Sequence, residues 1–372
     1  MTALMFVGIA QALFLSLLIG NKSVKRSFDY LLIVWLLCNA CNLLFYYFVF
    51  SERTADLLEW LIPLGLMPYA AAAVLYLYTK SLVSKRSLRW SDSLISFSPY
   101  LVVNALLYAD FINDEITLSL SQGYFDFRGP SGFVSRYWAL IMAAVHILFI
   151  LASLILLFKH KSRIKEEFSY AEQINLSWLR NWLMYAVPAF VLSFCFVWVG
   201  VFGFIEMIEV FYGISGFITL NIFVIGYFGL KQTTIFTNVK VDDQQSLKAE
   251  PPNLMAKETL QGQAHRIAAY LEQSQAYLNP RLTLLELSAG TDIPRNQLSA
   301  VLNQYFQQNF FEYINDKRVD EFKKRALDPT YGHLTLLGIA LDCGFNSKSS
   351  FNHIFKKNTG MTPGEYKRVH IN

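Results

Sequence analysis

Residues 335–357 read TLLGIALDCGFNSKSSFNHIFKK, and this stretch decides how the C-terminal third of the chain folds. Thr335 can cap a helix whose inner face carries Leu336, Ile339, Ala340 and Cys343 at helical spacing. Gly344 permits the left-handed backbone that ends it. Ser347-Lys348-Ser349-Ser350 then opens a second helix, with Phe351, Ile354 and Phe355 on its buried face. The spacing predicts two short helices crossing at a tight turn. The small Ala340 stands where they approach most closely.

The same pattern occurs upstream, in TLLELSAGTDIPRNQLSAVLNQYF (283–306). Thr283 and Glu286 have capping-box spacing. Leu284, Leu287 and Ser288 follow on one face, Asp292-Ile293-Pro294 breaks the helix, and Arg295 to Ser299 starts the next. Ile339-Ala340 aligns with Leu287-Ser288 at an offset of 52, and Phe351 and Phe355 with Leu298 and Leu302 at 53. The two units are an internal repeat. Between them, 309–327 predicts one continuous helix with Phe311, Ile314, Val319 and Phe322 apolar. It spans about 28 Å at 1.5 Å per residue. One DNA turn is about 34 Å, so two recognition helices can enter successive major grooves on one face.

The ordered motifs extend this reading. Asn279-Pro280-Arg281-Leu282-Thr283 is followed by Ile339-Ala340-Leu341-Asp342-Cys343-Gly344-Phe345, then by Ser347-Lys348-Ser349-Ser350-Phe351, and by the run from Phe355 through Thr362-Pro363-Gly364-Glu365-Tyr366-Lys367-Arg368. Over about 100 residues the segment resembles the DNA-binding domain of AraC-type transcription regulators. The resemblance implies a helical domain that binds double-stranded promoter DNA. A seven-helix membrane part in front of it resembles the membrane-anchored members of that family. The chain departs from the family pattern at Ser288, where alanine is common, and at Asp292, where a small residue often sits.

The residue types fit this role. At the start of the first recognition helix stand Arg295, Asn296, Gln297 and Ala300; at the start of the second stand Ser347, Lys348, Ser349, Asn352 and His353. Arg reads guanine bidentately, and Asn or Gln reads adenine. Lys356, Lys357, Lys367 and Arg368 suit phosphate, as do the amides of a helix opening at Thr362-Pro363-Gly364-Glu365. Lys323-Lys324-Arg325 lies beside Asp320 and Glu321 and reads equally well as a solvated face.

Upstream, the composition changes. The whole chain is 54% hydrophobic and only 16% charged, with a mean hydropathy of +0.32. That excludes a wholly soluble or disordered protein. Up to Leu230 there are 15 basic and 14 acidic residues, and the remaining 142 residues hold 17 and 14, so charge density nearly doubles. Apolar runs of membrane-spanning length lie at 2–20, 28–50, 59–82, 92–113, 136–158, 181–203 and 210–230. The expectation is an all-α chain: a seven-helix transmembrane bundle over 1–230, a linker over 231–256 containing Pro251-Pro252, and a cytoplasmic domain over 257–372. That domain holds helix-turn-helix units at 283–306 and 335–357 and a connecting helix at 309–327. Residues 1–20 lack the preceding charge and the cleavage site of a signal peptide and read as the first membrane helix. The loops after helices one, three and five carry twelve Lys and Arg against three in the others. The first set is therefore inside and the N-terminus outside; together with this topology, the family resemblance implies a bacterial inner membrane.

Other chemistry finds little support. Cys38-Asn39-Ala40-Cys41 has redox spacing but falls within a membrane helix, and no His or Cys completes a metal site. No catalytic constellation, metal or cofactor is expected. Candidates for contact with a small-molecule or environmental signal are His146 in the fifth run, Asp114, Glu115 and Tyr124 in the outward loop 110–135, and Glu206 and Glu209 near the same face. Membrane lipid and a second copy of the chain are further expected partners. The function expected is a membrane-embedded transcription regulator. The alternative is a receptor or transporter whose cytoplasmic domain is a protein-interaction module.

Overall fold

Each apolar run is helical wherever the computed structural model describes it, apart from a turn at Leu66. The described residues are 2–50, 63–84, 88–112, 117–121, 124–128, 133–171, 174, 176–201, 204, 207–232 and 257–371. In the first part these form α1 (Thr2–Gly20), α2 (Ser27–Phe50), α3 (Met67–Val83), α4 (Trp90–Ile112), α5 (Phe133–Glu167), α6 (Ser177–Val201) and α7 (Met207–Gln232). Five of them hold segments long and apolar enough to cross a membrane: Thr2–Gly20, Ser27–Phe48, Leu140–Glu167, Ser177–Phe196 and Glu209–Leu230. α3 and α4 are not among these. α3 is 17 residues long, and α4 carries Asp92, Ser93, Ser96, Ser98 and an internal Pro99.

One element lies outside the all-α expectation. Thr117–Ser121 (β1) pairs antiparallel with Tyr124–Arg128 (β2), with Ser121 opposite Tyr124. Of the signal candidates, Tyr124 therefore opens a strand. Asp114, Glu115 and Glu206 lie outside the described residues, as does the linker from 233 to 256. Glu209 is exposed in the first turn of α7.

The chain divides into two units, Met1–Phe158 with Leu176–Lys240, and Lys159–Asn175 with Val241–Asn372. In the first, α1 packs against α2 and α7, α2 against α3 and α7, α3 against α4, and α6 against α7. Gly8 and Gly226 allow α1 and α7 to approach closely: a Cβ at Gly8 would lie 2.5 Å from Thr219 Oγ1, and one at Gly226 2.2 Å from Leu15 Cδ1. Small residues at crossings are the usual means of packing helices in lipid. The outer surface remains apolar, with Leu17, Ile95, Leu148 and Leu192 all more than 60% exposed. In water such a surface would be costly; in a bilayer it is matched.

The second unit is built on α8 (Lys257–Ser274), α9 (Leu284–Thr291), α10 (Arg295–Gln304), α11 (Phe310–Leu327), α12 (Leu336–Asp342), α13 (Lys348–Thr359) and α14 (Pro363–Ile371). It has two cores rather than one. Ile267, Leu287, Leu298 and Leu302 pack with Phe310, Tyr313 and Ile314 from the first half of α11. Val319, Phe322 and Ala326 from its second half pack with Ile339, Cys343, Phe351 and Phe355. Where the cores meet, α11 buries two polar residues, Asn315 and Arg318, at 2% and 1% exposure. Residues 159–175, which sequence assigned to the membrane part, belong to this unit.

Candidate nucleic-acid interface

Each helix-turn-helix begins with a capped first helix. In the first, the Glu286 amide donates to Thr283 Oγ1 (3.2 Å), and the Thr283 amide donates to Glu286 Oε2 (2.8 Å), completing the capping box. In the second, Thr335 Oγ1 accepts from the Gly338 amide at 3.0 Å. The turns also correspond. Asp292 (φ +52°) and Gly344 (φ +91°) both take the left-handed conformation, at equivalent positions. Ser288, one of the two departures noted from the sequence, donates from Oγ to the Ile293 carbonyl at 2.6 Å and so ties its turn closed. In the second turn the Phe345 amide reaches back to the Ala340 carbonyl at 3.1 Å. There a Cβ on residue 344 would lie 2.8 Å from the carbonyl oxygens of both Tyr277 and Leu278 and 2.9 Å from Arg318 Nε.

The recognition helices differ in what they offer. α13 presents Lys348, Ser349, Asn352, His353, Lys356 and Lys357 on an exposed face opposite buried Phe351, Ile354 and Phe355. Ser347 is its N-cap, accepting from the Ser350 amide at 3.2 Å and bonded to the Ser349 hydroxyl at 3.0 Å. Lys357 Nζ lies 3.0 Å from Glu312 Oε1 on α11, and that ammonium holds the Glu312 carboxyl below its usual range. On α10 only Asn296 of the four expected readers is fully exposed; Arg295, Gln297 and Ala300 are half-buried. The Arg295 Nε is buried without a partner among the described residues. Gln297 Oε1 accepts from Gln263 Nε2 of α8 at 2.9 Å, so it is held by its own fold.

On α14, Arg368 is exposed and Lys367 half-buried. The amides that sequence offered to a phosphate are partly taken. Glu365 Oε2 accepts from the Thr362 amide at 2.8 Å, bonds that lower its pKa, and Thr362 Oγ1 accepts from the Glu365 amide at 3.4 Å. Lys323 pairs with Asp320 at 3.3 Å, and Arg325 with Glu321 at 2.7 Å in a largely covered pair, while Lys324 is exposed.

The residues that fix the two units to each other were not singled out from sequence. Arg318 directs all five N–H donors at acceptors: Nε to the Tyr277 carbonyl (2.7 Å), Nη1 to the Ser169 carbonyl and Asn315 Oδ1 (both 3.1 Å), Nη2 to Ser169 Oγ (3.0 Å) and the Asn279 carbonyl (2.7 Å). Burial pushes its pKa down to about 9, which leaves it charged at neutral pH. Those carbonyl dipoles replace the water it gave up. Two of the five acceptors belong to Ser169, from the segment between α5 and α6. Ser169 also donates from its amide (3.1 Å) and hydroxyl (2.8 Å) to the Leu282 carbonyl. Beside it, Phe168 forms an antiparallel bridge with Thr283, the cap of the first unit. The same segment lines a small hollow with Asn346 and Ser350 of the second unit. A signal for Arg318 was present in sequence: Asn315, Arg318, Val319 and Phe322 share the inner face of one helix. The docking of Ser169 had none, since 113 residues separate it from Leu282.

Among the described residues no group of three or more His, Cys, Asp or Glu could hold a metal ion, and all four cysteines are free.

Comparison with known proteins supports the domain. A family model described as a helix-turn-helix domain matches residues 287–369. An uncharacterized HTH-type transcriptional regulator of Staphylococcus aureus (strain COL) is 31% identical over 103 residues, 28% of this chain and 13% of that protein. YpdC of Escherichia coli (strain K12), another uncharacterized HTH-type transcriptional regulator, is 31% identical over 102 residues, 27% of this chain and 34% of that protein. The probable transcriptional regulator LumQ of Photobacterium leiognathi is 29% identical over 98 residues, 26% and 37% of the two chains. The chain thus spans little more than a third, at most, of these relatives. No solved structure matches it significantly. With the capped repeat, the paired left-handed turns and the bridging helix α11, these matches identify the C-terminal part of the chain as an AraC-type helix-turn-helix domain.

Proposed function

We propose that this protein is a membrane-embedded transcription regulator that binds promoter DNA through α10 and α13 while its apolar helices respond to a signal. The observation that carries the DNA part is α13, a capped helix with one buried apolar face and one exposed face of Lys348, Ser349, Asn352, His353 and Lys356. Lys348 and Asn352 read base edges; Lys356, Lys357, Lys367 and Arg368 hold phosphate. On α10, Asn296 reads bases, and Arg295, Gln297 and Ala300 contribute once the groove reorders them. The Lys and Arg asymmetry of the loops puts the N-terminus outside and this domain in the cytoplasm.

The grip of Phe168 and Ser169 supports a route for the signal. The chain enters it from α5 and leaves it into α6, two helices with membrane-length apolar segments. It fastens to Thr283 and Leu282 at the root of the first unit and to Arg318 between the units. A shift of α5 or α6 alters how the two recognition helices are held, and with that their fit to successive grooves.

The test uses the full chain in nanodiscs, selecting genomic fragments at near-physiological salt. Lys348→Ala and Asn352→Ala should each cost about 1–3 kcal/mol at the best site and relax its preference, while Lys356→Ala should weaken all sequences alike and lower the salt slope by about one. Binding that shows no preference and ignores all three changes would favour the interaction-module reading. For the route, Ser169→Pro removes the amide and hydroxyl donors to Leu282. A promoter reporter should then lose its dependence on the membrane part, and an unaltered reporter would discard the route.

A further inference from the structure

The helix bundle contains a cavity for which DNA binding has no use. α2, α3, α5, α6 and α7 line a cavity of about 190 Å³ that opens in part to the outside of the bundle. Its walls are largely aromatic and aliphatic, with Trp35, Tyr46, Phe149, Trp182 and Phe190 among them, and no Lys, Arg, Asp or Glu among the described lining residues. Part of the wall is held rigid: Trp182 Nε1 donates to Asn221 Oδ1 at 3.0 Å, and the His146 ring stacks on Phe190 at 4.7 Å with 9° between planes.

Asn42 is the anomaly in this wall. It is 2% exposed, and neither its amide nitrogen nor its oxygen has a hydrogen-bond partner among the described residues. Its polar neighbour is the Tyr46 hydroxyl, which interacts with the amide electrostatically but falls outside hydrogen-bond geometry. Buried amides are almost always paired, because an orphaned donor or acceptor has lost its water for nothing. His146 adds a second polar group to the same wall. Its Nδ1 is 2.9 Å from the Met142 carbonyl. A carbonyl only accepts, so Nδ1 carries the proton, and the neutral ring keeps Nε2 as an acceptor.

We infer that this cavity binds an uncharged amphiphile, with an apolar chain or ring against the aromatic wall and a hydroxyl or amide head that pairs with Asn42. A charged head is disfavoured because nothing in the described wall compensates it. This deepens the sensing half of the proposed function by naming a ligand class. Its binding test involves no DNA, so either reading can fail alone. The chemistry fits a neutral lipid of the bilayer and a molecule arriving from outside equally.

The experiment uses the full chain in phosphatidylcholine nanodiscs with a diazirine-bearing dodecanol as photoprobe. Labelling should saturate, map to the α2 and α5 peptides containing Asn42 and His146, and be chased by dodecanol but not by dodecylammonium. Ala72→Trp, which fills the cavity from α3, should reduce labelling at least tenfold. Asn42→Leu should reduce it several-fold without lowering the melting temperature, since it replaces an unsatisfied amide with an apolar side chain of similar size. Labelling that does not saturate, spreads over the outward Leu17, Leu148 and Leu192, or is unchanged in both variants overturns the proposal. So does an Asn42→Leu chain that melts lower yet labels fully, because the amide is then structural. Native mass spectrometry before probe addition separates the sources: a co-purifying neutral lipid supports the bilayer, and an empty chain that takes up dodecanol supports an external molecule.

Discussion

The two helix-turn-helix units share a pattern and differ in chemistry. Position 292 and position 344 turn the chain with the same left-handed backbone, yet one is Asp and the other Gly. Asp292 is exposed, and its carboxylate reaches Arg266 at 3.4 Å in open solvent. Gly344 is enclosed by two carbonyl oxygens and a guanidinium. The recognition helices differ in the opposite sense. The first is partly folded back onto α8 through Gln297 and Gln263, and the second stands clear. The unit with the tighter turn thus carries the freer reading surface. What a repeat conserves is the backbone path, and the surroundings of each copy decide which side chains that path tolerates.

The comparison can be broken at several strengths. Arg318→Met should produce the largest loss, about 3–5 kcal/mol, because it strands buried carbonyls that five N–H donors satisfied. Hydrogen exchange of α11 amides in the full chain reads it, and a loss below about 1 kcal/mol would mean the joint between units is not held there. Gly344→Ala should follow at about 3 kcal/mol, from backbone strain and the clash with Tyr277 and Leu278. Asp292→Gly should change stability by less than about 1 kcal/mol, since it relieves a left-handed residue but loosens the unfolded chain. Equal effects at 292 and 344 would erase the contrast between the turns.

On DNA, Asn352→Ala should cost about 1–3 kcal/mol at the preferred site. Gln297→Ala should cost less than about 1 kcal/mol, because its amide already has a partner. The reverse ranking in a titration would make α10 the principal reader. Thr283→Ala and Ser347→Ala should each remove about 1 kcal/mol of helix-end stability, by the same exchange measurement. The smallest effect concerns pH. Because Lys357 depresses the Glu312 pKa, their pairing is fully present above the ordinary glutamate range and is lost as pH falls through the lower, folded value. The exposed pair is worth about 0.5 kcal/mol. Acid unfolding of the C-terminal unit should show that increment below about pH 4, and Lys357→Met should abolish it.

Much of this was legible beforehand because it is local. A cap three residues from its partner, a small residue at a crossing and a glycine at a turn are set by short-range sterics, and the described structure keeps each of them. The expected readers on α10 were less legible. Arg295, Asn296 and Gln297 look alike as polar residues at a helix start, and only tertiary packing, which holds Gln297 against Gln263 of α8, separates the exposed one from the two half-buried ones. The paired strands 117–121 and 124–128 were hidden for a different reason: Thr117–Ser121 does alternate polar and apolar residues, but the segment lies between two long apolar runs and reads as the outward loop that joins them.

By itself, the sequence determined the division into apolar and charged regimes, the helical class, and the repeated helix-turn-helix with its turns, because hydrophobic period and capping act within a few residues. Only the tertiary structure decided which polar groups are paired. It joined Ser169 to Leu282 and Arg318 across more than a hundred residues and held Gln297 against Gln263. It also left Asn42 buried in a cavity wall with its amide outside hydrogen-bond geometry to any described residue. The physical reason is that pairing is a matter of proximity and geometry: a buried donor bonds to whichever carbonyl the fold brings within about 3 Å, and no spacing along the chain specifies it.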